Sequence, residues 1–153
     1  MQKTWKMSWF MVVLMAMVIT PWAHAQDDVS PVPVPDPEQI AEECAKHITR
    51  KANHAVGQIG NVTERCINRI GELLEDGEIE RAHRLARRCG HHIDGIARRH
   101  THAIRRLTRR CVRVLTELGA PELAERVIGV AKGQAAHIAE ARKRARAAIA
   151  EQF

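Results

Sequence analysis

Core-facing positions along the chain recur in steps of four, four and three. From Cys44 the series runs Ile48, Lys51, Ala55, Ile59, Val62, Cys66, Ile70 and Leu73, with Lys51 as its polar member. This is an eleven-residue period, one face of a long helix. A shift of 45 residues reproduces the series as Cys89, Ile93, Ile96, His100, Ile104, Leu107, Cys111, Leu115 and Leu118. A second shift of 45 gives Gln134, Ile138, Ala141, Ala145 and Ile149, and a His-Ile pair recurs at 47, 92 and 137. The chain therefore reads as three versions of one helical unit. Eleven residues over three turns is about 3.67 per turn, slightly more than the α-helix's own value, and predicts a gentle right-handed coil. An ordinary amphipathic helix at about 3.6 per turn fits nearly as well, and helices are expected either way.

The breakers divide this pattern into three elements. Asp36 is placed to cap a helix whose first position is Pro37, with Gln39 following in the first turn, a combination that satisfies free amides without losing a donor. Nothing interrupts the helix before Asp76-Gly77, and Gly119 followed by Pro121 closes a second helix and opens a third. The expected helices span about 38–75, 78–118 and 121–151, in one domain over 38–153. The fold class is all-α, a long antiparallel hairpin with a third helix completing a bundle.

The first 25 residues do not belong to that domain. Lys3 and Lys6 precede an apolar run from Trp9 to Ile19, followed by Pro21 and Ala23-His24-Ala25. This is the pattern of a secretory signal peptide, and its run is shorter than the roughly 20 residues a spanning helix needs. Without a cysteine just after the run, a lipid-anchored product is not expected. Residues 26–37, QDDVSPVPVPDP, read as an extended acidic tether rich in proline. An exported chain, periplasmic or extracellular and with no transmembrane span after cleavage, is the expectation. Cleavage after Ala25 would leave 22 basic against 18 acidic residues, a net of +4, with Phe153 as the single Phe, Trp or Tyr. An aliphatic core of that kind suits packed helices and fits a β-fold poorly.

Four cysteines in an exported chain of this size imply two disulfides. Cys44 and Cys66 lie 22 residues apart on one helix, about 33 Å at 1.5 Å per residue, against the roughly 5.5 Å between Cα atoms that a disulfide needs. Cys89 and Cys111 stand the same distance apart. In an antiparallel hairpin the numbers of facing residues have a constant sum, and Cys44 with Cys111 and Cys66 with Cys89 both give 155. Half of that falls between Gly77 and Glu78, at the expected turn. The third pairing, Cys44 with Cys89 and Cys66 with Cys111, requires parallel helices, which the short connection forbids. Free thiols or a zinc site are the alternative, disfavoured by the wide spacing of the cysteines.

The second helix carries eleven arginines against Glu78, Glu80, Asp94 and Glu117, with pairs at 87/88, 98/99 and 109/110. The hairpin register sets Glu42 and Glu43 near Arg110 and Arg113, Glu64 near Arg88, and Glu72 near Arg81 and Arg84. Interhelical pairing is therefore expected to absorb much of the excess. Arg98 and Arg99 face Asn53 to Gly57, where no acid stands, so with Arg105 and Arg106 they are the candidate anion-binding residues. Aromatic stacking residues and a larger charge excess are missing, and nucleic acid is not an expected partner.

Eight histidines follow Ala25, and the register gathers His54, His100 and His102 as a candidate metal cluster for zinc, copper or nickel. His100 and His102 diverge on a helix, so only one shares a face with His54. His100 opposite Ala55 reads more simply as a large residue filling room beside a small one. No cofactor is expected. Lys51 should extend its amine outward from its core position, and Gly57, Gly60 and Gly71 should let the helix axes approach. The sequon Asn61-Val62-Thr63 falls mid-helix and is read as chance.

No enzyme constellation appears. Ser30 in the tether is the one serine after residue 25, the cysteines are committed, and neither a phosphate loop nor HExxH occurs. The first expectation is a non-enzymatic structural or interaction module with a protein or envelope partner. A metal-binding or metal-sensing protein, and a binder of an anionic envelope polymer or membrane surface through the Arg-rich helix, are the alternatives. Helices of unequal length would leave apolar surface for a second copy, as in a homodimer.

Overall fold

The computed structural model describes residues 36–153. The expected signal peptide over 1–25 and nearly all of the expected tether over 26–37 lie outside the described residues. Three helices follow, α1 (Pro37–Glu75), α2 (Ile79–Glu117) and α3 (Pro121–Ala150), and no strand occurs among the described residues. The ends fall within one residue of those expected.

Local chemistry sets each boundary. Asp36 is the N-cap of α1, its Oδ1 accepting from the Glu38 amide at 3.0 Å, with Pro37 in the first turn. Gly77 has φ of 75° and Gly119 has φ of 72°, the left-handed conformation that glycine adopts without a Cβ clash. At the first turn the Glu78 amide donates to Leu73 O and Gly77 to Leu74 O; at the second, Ala120 donates to Leu115 O and Gly119 to Thr116 O. Both are Schellman caps, which satisfy the last carbonyls and reverse the chain within three residues.

The helices run up, down and up, and each packs on the other two. Disulfides Cys44–Cys111 and Cys66–Cys89 join α1 to α2, with Cα atoms 6.2 and 6.3 Å apart. Two disulfides suit an oxidising, exported environment. The 45-residue repeat is visible in the core. Ile48, Ile93 and Ile138 are all fully buried, and Ile59, Ile104 and Ile149, eleven residues further along each helix, are buried too. No helix among the described residues is long and apolar enough to cross a membrane.

Three expectations about α1 are corrected. Lys51 is exposed and its neighbour Ala52 is wholly buried. The core follows 48, 52, 55 and 59, which keeps an alanine rather than a charged amine beneath the neighbouring helices. A Cβ added to Gly57, Gly60 or Gly71 would meet nothing within 4 Å, so these glycines do not set the interaxial distance. Among the described residues no ion pair joins α1 to α2. Glu42 and Glu43 pair with Lys46, and Glu72 with Arg69, within α1. Partners three or four residues away need no extended reach across a helix interface.

Candidate functional site

Of the eleven arginines on α2, Arg81 and Arg84 pair with Glu78 and Glu80 of the same helix. The other nine have no carboxylate within 4.0 Å among the described residues. All nine are exposed.

Adjacent helical residues point about 100° apart, so each Arg-Arg pair divides between two flanks. Arg87, Arg98, Arg105 and Arg109 border the groove between α2 and α3. Arg88, Arg99, Arg106 and Arg110 keep the same spacing and project about 100° away from the first set, and Arg99 acts electrostatically on His100. The four candidate anion-binding residues are therefore not one cluster. Arg98 and Arg105 share a groove, while Arg99 and Arg106 project about 100° away from it.

α3 completes the groove with Lys132, Arg142 and Arg146. Asp94 of α2 orients one of these, accepting from Arg146 at 2.9 Å, and lies 3.9 Å from Arg142. At the other end of the bundle Arg126 of α3 bonds Glu38 of α1 at 2.6 Å. The interhelical pairs thus run to α3, which sequence reasoning did not place. The short turn at Gly119 was the available signal, since it makes α2 and α3 antiparallel neighbours in the same way as Gly77 does α1 and α2.

The histidines form a bridged pair rather than a triad. The His54 and His100 rings are 5.6 Å apart, and Gln58, missed in the sequence, lies between them. His100 Nε2 donates to Gln58 Oε1 at 3.0 Å, and the Gln58 amide donates to His54 Nε2 at 3.0 Å. The proton placement follows from the amide's fixed donor and acceptor ends. His102 borders the α2–α3 groove instead. No three His, Cys, Asp or Glu residues converge as a metal site among the described residues. A metal at the pair would have to break both Gln58 bonds beside the cations Lys51 and Arg99.

His100 has its pKa lowered, first by burial and then by His54, Lys51 and Arg99. Protonation is therefore easier in the unfolded chain than in the folded one. Its contribution to stability is complete above the ordinary histidine value of about 6.5 and is lost as pH falls below that value. The melting temperature is expected to be lower at pH 5 than at pH 8, and His100→Gln should reduce the difference. An equal pH dependence in the variant would show that His100 is not the group responsible.

No protein-family model, curated protein or solved structure gives a significant match to this chain.

Proposed function

We propose that this chain is a non-enzymatic, exported interaction module, periplasmic or extracellular, that binds a negatively charged partner through α2. The observation that carries this is the set of nine exposed arginines without carboxylate partners among the described residues, spread over two flanks of a helix 39 residues long. Clamping α2 to α1 at two points holds those charges on a rigid rod, so little ordering is needed on binding. Arginine forks are suited to oxygen anions and stay charged at any relevant pH. Apart from the exposed Ile79 and Val114, the large apolar residues of α2 pack into or against the core, which favours a surface electrostatic contact over insertion into a bilayer.

Salt dependence tests this directly. The protein is expected to be retained on an anionic matrix at low ionic strength, with affinity falling linearly in log salt as counterions return. Absent retention, or retention indifferent to salt, would defeat the proposal.

A further inference from the structure

We propose that the seam between α2 and α3 is the binding site of a linear phosphate-bearing polymer, a narrower claim that rests on the α2 reading above. Three concavities follow one another along this seam. Near the Gly77 end Arg87 faces Arg146; in the middle Arg98 and Arg105 face Arg142; toward the Gly119 end Arg105 and Arg109 face Lys132. The middle concavity holds about 320 Å³, with Thr101 and His102 at its edge.

Cations thus stand on both walls and are spread along the groove rather than gathered at one spot. Arg87 to Arg109 is 22 residues, or about 33 Å of helix. A single small anion would meet only a third of this array, whereas an extended chain meets all of it. Each charged group of the ligand must also present oxygens to two walls together. A tetrahedral phosphate does this, while a planar carboxylate directs its two oxygens largely to one side.

The rest of the lining agrees with a backbone-type contact. In the middle and toward the Gly119 end, Ala97, Ile138, Ala139, Ala131 and Ala135 form a low floor without a ring on which a base would stack, whereas the Gly77 end also carries Phe153, stacked on His83 at 4.2 Å. Asp94 is the acid of the seam, and both of its oxygens are turned toward Arg142 and Arg146. It holds Arg146 by a hydrogen bond, lies within ionic range of Arg142, and leaves the others unneutralised. The groove between α1 and α3 has a different character, with Val56, Ile59, Ile67, Ala141, Ala145 and Ala148 among its lining. Polyanion binding is therefore directed to one of the bundle's grooves.

Adjacent arginines on opposite flanks supply the test. Arg98→Glu with Arg105→Glu, and Arg99→Glu with Arg106→Glu, change the net charge equally on neighbouring residues of one helix. Binding of long-chain inorganic polyphosphate to the full-length protein with both disulfides intact would be measured by titration calorimetry at about 0.15 M salt. The first pair should lower affinity by about tenfold or more and the second by no more than about threefold, since exposed charges beyond about 8 Å are screened. Lys132→Glu, on the facing helix, should weaken binding by about threefold, and it keeps the proposal testable if the first variant folds poorly.

Equal losses from the two double variants would overturn the seam and leave the broader α2 reading standing. Polyglutamate bound more tightly than polyphosphate would overturn the phosphate assignment. Phosphatidylglycerol vesicles bound as tightly as polyphosphate, and weakened alike by both double variants, would point to a membrane surface and overturn the groove. If no anion binds at low salt, both proposals fall.

Discussion

Replacing Cys44 and Cys111 together by alanine should lower the unfolding free energy by about 4 kcal/mol in the chain-entropy model. This bridge spans 67 residues and encloses the inner bridge, which spans 23. With the inner bridge intact the outer loop is effectively shortened to about 44 residues, and because the entropy depends on the logarithm of loop length the expected loss changes little. Removing Cys66 and Cys89 should cost about 3.5 kcal/mol on the same basis. Alanine avoids placing a hydroxyl at Cys111, which is buried. Urea unfolding followed by far-ultraviolet dichroism measures the change, and a shift of about 15 °C in melting temperature should accompany the larger loss. A loss below about 1 kcal/mol would mean that the unbridged ensemble already holds α1 beside α2.

Ile93→Ala should cost about 3 to 4 kcal/mol, the second large effect. Ile93 is fully buried and belongs to the Ile48, Ile93 and Ile138 set that the repeat places once on each helix. The substitution removes three carbons from a site enclosed by three helices, so the lost transfer energy is joined by the energy of an unfilled cavity. Ile79→Ala provides the comparison. Ile79 is 57% exposed at the start of α2, and its truncation should fall within about 0.5 kcal/mol. Similar midpoints for the two variants would refute the assignment of the buried layers.

The hairpin was legible because its information is local or covalent. Gly77 and Gly119 can be recognised from their neighbours alone, and four cysteines in a two-helix register leave one pairing geometrically open. α3 has no cysteine to fix its register against α2, and the turn at Gly119, which sets Asp94 beside Arg142 and Arg146, was the one signal for these pairs and went unused. Lys51 was misplaced by extrapolating the eleven-residue series by one step, where the buried residue is Ala52. Glu72 was assigned across the interface although Arg69 stood three residues away. The arginines were identified as a group, but adjacency in sequence obscured their division between flanks. Gln58 was overlooked because a lone amide between Gly57 and Ile59 carries no signal until the fold brings His100 to it.

Both sulfur bridges bind the first rod to the second, and the third is attached to its neighbours only by contacts and by the chain at Gly119. It is thus the one rod able to swing away without any covalent bond being cut. Since it supplies a wall of the arginine seam, its undocking would dismantle the seam while leaving the stapled pair whole. A polymer lying across both walls would act as a removable clasp, holding in place the part of the molecule that evolution left unbolted.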